Sequence, residues 1–216
     1  LASCGKGKYG DYGYRIEEDL VSTNIPDDNY DNYYEIFVRS FRDSDGDGHG
    51  DLQGVIEKLD YVKDLGFTGI WLMPINRSSS YHKYNVDNYY EIDPKYGTMD
   101  DFEQLIDECH KRGIKLIIDM VLNHTSRDSL FVNESLEFMY LVDGKISNKV
   151  GDWSDVADIN YENDVVIEKI IDALEYWATL GIDGYRMDVC SLIPVHFWEK
   201  AVKRLKKINE DIIMLG

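Results

Sequence analysis

Between residues 33 and 216 the chain repeats one unit: a short apolar run, a turn, then a longer stretch with apolar residues every three or four positions. The runs "YYEIFVRSF" (33–41), "TGIWLMP" (68–74), "KLIIDMV" (115–121), "GYRMDV" (184–189) and "IIMLG" (212–216) read as five strands. Helices read over 51–66, 98–113, 164–181 and 194–209. In the first, Leu52, Val55, Ile56, Leu59, Val62 and Leu65 form one stripe, with Asp51 as N-cap and Gly66 at the end. In the second, Thr98 and Asp101 suggest an acidic capping box and Gly113 a stop. Strands that are apolar on both faces and alternate with helices make an α/β fold with a parallel sheet.

Two architectures fit that pattern, a doubly wound sheet and a TIM (β/α)8 barrel. No Gly-rich phosphate loop follows the first strand, which weakens a nucleotide-binding version of the former. Polar groups instead gather just after successive strands: Asp43 to Asp51, Tyr84 to Asn88, Asn123 with His124, and Asp188. Functional groups at the C-terminal strand ends are what a TIM barrel predicts. The chain is then expected to supply roughly the first half of a barrel, strands 1 to 5, over residues 31–216. The stretch 122–162 is too long for a plain connection and is read as a functional loop or small inserted subdomain.

Net charge enters when partners are considered. With 23 basic and 41 acidic residues the chain carries -18, a field that repels nucleic acid and anionic membrane and favours cations and neutral ligands. Solubility alone accounts for the same charge. The three cysteines, Cys4, Cys109 and Cys190, do not make a disulfide framework. Cys109 lies on the apolar side of a helix and reads as a buried thiol, and Cys190 as a packing residue. The opening "LASCG" resembles a bacterial lipobox, which implies a lipid anchor on Cys4 and an extracellular, cell-surface location. Residues 5–30, rich in Gly, Tyr, Asp and Asn, then read as a flexible tether, so that 1–30 form a lipobox remnant and tether.

Two stretches carry chemistry. In "DSDGDGHGD" (43–51) the carboxylates of Asp43, Asp45, Asp47 and Asp51 repel one another unless a cation sits among them. The glycines between them let the backbone curl, and His49 has a backbone carbonyl to offer. Hard oxygen donors at this density suit Ca2+. Position 12 of a helix–loop–helix calcium loop would be Gly54 rather than Glu, so the loop is a shorter one in which Asp51 closes the shell. The alternative is a solvated acidic turn. In "GYRMDV", strand alternation sets Arg186 and Asp188 on one face.

Taken in order, "DSDGDGHGDLQG", "YHKYNVDNYYEIDPKYGT", "DMVLNH", "DINYEN" and "GYRMDV" resemble the α-amylase family of glycoside hydrolases, from about Tyr33 to Gly216. The acidic loop is similar to that of the oligo-1,6-glucosidase branch. The resemblance implies a retaining glycosidase of α-glucans such as starch and maltooligosaccharides. Asp188 would be the nucleophile, and Arg186 would hold its carboxylate ionised and oriented, since a neighbouring cation favours the charged form. Asp119 would support Arg186. His124 would hydrogen-bond the sugar and Tyr84 would stack on it, with Asn85 where the family often has Asp. Ca2+ would occupy the acidic loop. The general acid/base would be a Glu expected just beyond Gly216, so the 216 residues by themselves are expected to be inactive. Val189, Cys190 and Ser191 follow the nucleophile where many amylases have Ala and soon after Lys-His, which leaves α-1,4 and α-1,6 linkages open, with an α-1,4 amylase preferred. The rival reading is a non-catalytic glycan-binding or ancillary member of the same fold.

Overall fold

The computed structural model describes residues 31–216; Cys4 and the tether lie outside the described residues. In chain order the elements are β1 (Tyr33–Ile36), α1 (Val38–Phe41), α2 (Leu52–Glu57), α3 (Leu59–Asp64), β2 (Gly69–Leu72), β3 (Asn76–Arg77), β4 (Asn88–Ile92), α4 (Met99–Lys111), β5 (Lys115–Met120), β6 (His124–Ser126), α5 (Leu130–Glu134), β7 (Leu141–Val142), β8 (Lys145–Ile146), β9 (Val156–Asp158), α6 (Asp164–Thr179), β10 (Gly184–Met187), α7 (Val195–Ile208) and β11 (Ile213–Leu215).

The five predicted strands form one sheet in the order β1-β2-β5-β10-β11, with every pair parallel. The order follows the chain without reversing. A doubly wound sheet reverses at a switch point, whereas barrel strands progress in one direction. Because all five run the same way, their C-terminal ends share one rim, and the loops that follow them meet there.

Two departures from the sequence pattern are local, and the long 122–162 stretch has structure of its own. The first strand stops at Ile36, and the following residues turn into α1 rather than extending to 41. The helix expected over 51–66 is two helices broken at Lys58, whose N–H folds back onto the carbonyls of Ile56 and Val55. The break keeps the apolar stripe in register, so Leu52, Val55, Leu59 and Val62 are fully buried, but Leu65 ends half exposed. The 122–162 stretch contains β6 paired antiparallel with β9, and the β7–β8 hairpin.

The caps read from sequence are formed. Asp51 accepts from the Gly54 N–H, and Thr98 and Asp101 make a reciprocal capping box. In α6, Asn163 caps the first turn, and the helix buries Ile170, Leu174 and Trp177. The Trp177 indole donates to the Tyr89 carbonyl at 2.7 Å. The Tyr89 hydroxyl in turn donates to the carbonyls of Val121 and His124, so α6 and β4 brace the residues that follow β5.

Gly54 shows how closely the first turn of α2 is seated against the residue that ends α1, Arg42. A Cβ there would meet the Arg42 carbonyl oxygen at 2.0 Å. Gly54→Ala therefore has to displace backbone, and we expect it to destabilise the fold by about 3 kcal/mol. A urea midpoint unchanged by this substitution would contradict the packing described here.

Candidate active site

Asp119 on β5 and Arg186 on β10 are direct neighbours in the parallel register, so their side chains leave the sheet on the same face. One guanidinium nitrogen of Arg186 donates to both oxygens of Asp119, at 2.9 and 3.2 Å, and to Asp188 Oδ1 at 2.8 Å. The Arg186 guanidinium lies 5.1 Å from the centre of the Trp71 ring on β2. Burial pulls Arg186 down, but the charges of Asp119 and Asp188 outweigh it and leave the cation held above its usual range. Asp119 is fully buried. Burial drives its carboxyl up to about 7, against the pull of Arg186.

Asp188 stands one residue past the end of β10, not within it. Its N–H donates to the Met120 carbonyl at 3.0 Å. The next residue, Val189, is left-handed at φ 41. A β-branched residue is costly in that conformation, and strain of this kind concentrates where a side chain must be aimed. The turn carries Asp188 to the floor of a cleft of about 310 Å³, lined by His82, Tyr84, Asn85, His124, Trp153, Asp155, Val156, Asp188 and Val189.

The remaining predicted groups converge there. The Tyr84 hydroxyl donates to Asp119 Oδ2 at 3.1 Å, and the proximity of that carboxylate adds to burial in raising the phenol well above its usual range. His124 is buried, and its ring lies edge-on to Trp153 at 5.2 Å. Burial lowers its pKa although Asp188 and Asp158 pull the other way, so at neutral pH it is an uncharged imidazole. Asn85 donates to Asp155 Oδ2 at 2.9 Å across the cleft. That hydrogen bond holds the Asp155 carboxyl below its usual range, which makes Asp155 a poor proton donor.

Four lining residues were not singled out from sequence: His82, Trp153, Asp155 and the apolar Val156. His82 Nδ1 accepts from the Tyr84 N–H at 3.1 Å, so in the neutral ring the proton sits on Nε2. Trp153 and Asp155 come from a long stretch without period, and only the three-dimensional closure of that stretch brings them to the cleft. A larger groove of about 700 Å³, beside Glu137, Asn160, Glu162 and Asp164, has no basic side chain or buried nucleophile in its wall.

The acidic loop lies after α1, away from these groups in sequence. It brings Asp43, Asp45 and Asp51 together, with one carboxylate oxygen of each within 4.8 Å of the others. Asp47 does not join them; its Oδ1 accepts from the His49 N–H at 2.7 Å. The N–H groups of Gly46 and Gly48 donate to Asp43 and hold its carboxyl low. Three carboxyl groups, hard oxygen donors at this spacing, fit a calcium-sized cation.

A model of the alpha-amylase catalytic domain matches residues 35–153 and 151–212. The chain belongs to that family. Among relatives, "Alpha-amylase 3" of Dictyoglomus thermophilum is 39% identical over 211 residues, covering 85% of this chain and 42% of that protein. The "Oligo-1,6-glucosidase" of Bacillus sp. (strain F5) is 39% identical over 193 residues, covering 74% and 38%. Among solved structures, an alpha-amylase from Lactobacillus plantarum superposes with a TM-score of 0.78 at 38% identity, covering 85% of this chain and 44% of that one. The alpha-amylase family chain described here thus spans about two fifths of the length of the relatives it matches.

Proposed function

We propose that the full-length protein is a retaining glycoside hydrolase of α-glucans, with Asp188 as nucleophile. The observation that carries this reading is the Asp188 carboxylate on the cleft floor, 2.8 Å from the Arg186 guanidinium and beside neutral His124. An Asp188 oxygen attacks the anomeric carbon and forms a C–O bond to the enzyme. The glycosidic C–O bond breaks, and its oxygen takes a proton from a general acid. Water, deprotonated by the same group, then releases the sugar with its configuration retained. His124 and the Nε2–H of His82 offer hydrogen bonds to sugar hydroxyls, and the faces of Tyr84 and Trp153 offer stacking surfaces. Asp155, the other carboxylate of the cleft, is held ionised by Asn85, so the proton donor is proposed to be a Glu outside these residues. On this reading residues 31–216 form part of a (β/α)8 barrel.

The test is proton NMR of the full-length protein acting on maltotriose and on isomaltose. The α-anomer as first product supports the reading, and the substrate consumed decides the linkage; the β-anomer first, or no turnover of either, overturns it. The relatives named alpha-amylase and oligo-1,6-glucosidase are each 39% identical, over 211 and 193 residues, and α-1,4 is our preference. Asn85, committed to Asp155 rather than open to substrate, is what favours the rival glycan-binding reading.

The acidic loop is proposed to bind Ca2+, which Asp43, Asp45 and Asp51 would hold; Asp47 and the His49 carbonyl, expected as further donors, lie outside that cluster. Its role is structural, tying the end of α1 to the cap of α2. Calcium at 100 times its Kd then stabilises the fold by about 2.7 kcal/mol. A thermal scan with millimolar Ca2+ against one with EDTA reads this as a raised Tm, and identical curves exclude the site. Among the described residues no helix is long and apolar enough to cross a membrane. A lipid on Cys4, and the extracellular placement it implies, is a proposal that intact-mass measurement on the native protein tests.

A further inference from the structure

Among the described residues Lys83 is the only buried lysine, at 3% exposure. Its ammonium contacts Asp93 Oδ2 at 2.6 Å and the Ser78 carbonyl at 2.9 Å, and stands 5.6 Å over the Tyr96 ring. Asp93 is itself buried, and it also accepts from the N–H groups of Ser78 and Lys95. Lys83 adopts φ 66, one of three non-glycine residues with positive φ among those described. A long side chain held left-handed is strained, and such strain persists only where the surroundings enforce it. A buried ion pair adds little net stability over a well-packed apolar substitute, so its effect is to be sought in geometry.

That geometry leads to the cleft. Ser78 Oγ donates to the Asn85 carbonyl at 2.5 Å, and the Lys83 N–H donates to Ser80 Oγ at 3.1 Å. Residues 78–85 are thereby closed into a knot with the Lys83–Asp93 pair at its centre. Within it Tyr84 follows Lys83; its hydroxyl reaches Asp119, and Asp119 shares Arg186 with Asp188.

The geometry points to Lys83 and Asp93 as positioning residues: their buried pair sets the 78–85 loop so that Tyr84 meets Asp119 and Asn85 stands on the cleft wall. Neither residue touches the substrate. The inference rests on the glycosidase reading for its kinetic consequence. A displaced Tyr84 weakens sugar binding and releases one hydrogen bond from Asp119, so both steady-state constants change.

The experiment compares full-length wild type with Lys83→Met, Asp93→Asn and the double variant, on maltotriose or isomaltose, whichever wild type consumes, well below the melting temperature. Each single variant is expected to raise KM roughly tenfold and lower kcat by a similar factor, since displacements of about an ångström have effects of that order. The double variant is expected to cost no more than the worse single one, because the pair acts as one unit. Folded variants with wild-type kcat and KM, and only a lowered Tm, overturn the inference and leave the pair a structural one. Asp93→Asn keeps the shape of the side chain and decides alone if Lys83→Met fails to fold. If wild type turns over neither sugar, the glycosidase reading fails separately. Calorimetric binding of maltoheptaose then decides the positioning role: a Kd raised roughly tenfold in the variants supports it, and an unchanged Kd overturns it.

Discussion

Asp188→Asn in the full-length protein is expected to lower kcat on α-glucans on the order of 10,000-fold, with KM little changed. The asparagine keeps the size of the side chain and an oxygen that can accept from Arg186, but it loses the negative charge that makes the carboxylate a nucleophile. Asp188 is 9% exposed, and its backbone N–H is bound to the Met120 carbonyl, so the turn that carries it does not depend on the charge. The fold is therefore expected to survive. Steady-state kinetics beside a thermal scan check this, and a variant that keeps a tenth of wild-type kcat would remove Asp188 from the nucleophile role.

Arg186→Met is expected to damage both stability and activity. It leaves Asp119 buried without its cation, with Tyr84 as remaining side-chain donor. Breaking a buried pair from one side costs about 3 kcal/mol or more. The loss depends on pH with a defined sign. Burial already raises the Asp119 carboxyl to about 7, and Arg186 is what pulls it down. Without Arg186 it rises further, so the folded variant binds a proton that the unfolded chain, near 3.8, releases. Stability of the variant is then present at low pH and lost as pH climbs through the folded value. The deficit against wild type should be smaller at pH 5 than at pH 8. Asp119→Asn added to Arg186→Met should restore most of it. Urea titrations at the two pH values read this, and equal deficits would contradict the electrostatic account. Activity should fall roughly 100- to 1,000-fold, the usual effect of removing one preorganised charge at a reacting centre.

The sheet was legible because each strand is a short apolar run bounded by turn residues, and each long helix carries a stripe at helical spacing. The break at Lys58 was not, because a one-residue kink leaves Val55, Leu59 and Val62 in the same buried stripe. The end of β1 at Ile36 was missed because Phe37 and Val38 are as apolar as the strand they follow. At the site, Asp119 beside Arg186 was expected only from the family resemblance, and the parallel register of β5 with β10 is what makes them neighbours. Asp188 was expected on the strand face and instead leaves from a turn completed by left-handed Val189, a conformation that a β-branched residue gives no reason to expect. Asp155 meets Asn85 across seventy positions of chain, and nothing in either segment announces the partner. The Lys83–Asp93 pair was hidden for a related reason: both residues sit in polar loops where burial is the exception.

The central claim is that the Asp188 oxygen forms the bond to the sugar. The most direct measurement is to trap that bond with a 5-fluoro-α-glucosyl fluoride on the full-length protein and map the modified peptide by mass spectrometry. The account predicts one 5-fluoroglucosyl unit on the peptide containing residues 184–189, carried by Asp188 with loss of the anomeric fluoride, and no adduct in Asp188→Asn. An adduct on another carboxylate, or turnover that never passes through an adduct, would contradict it.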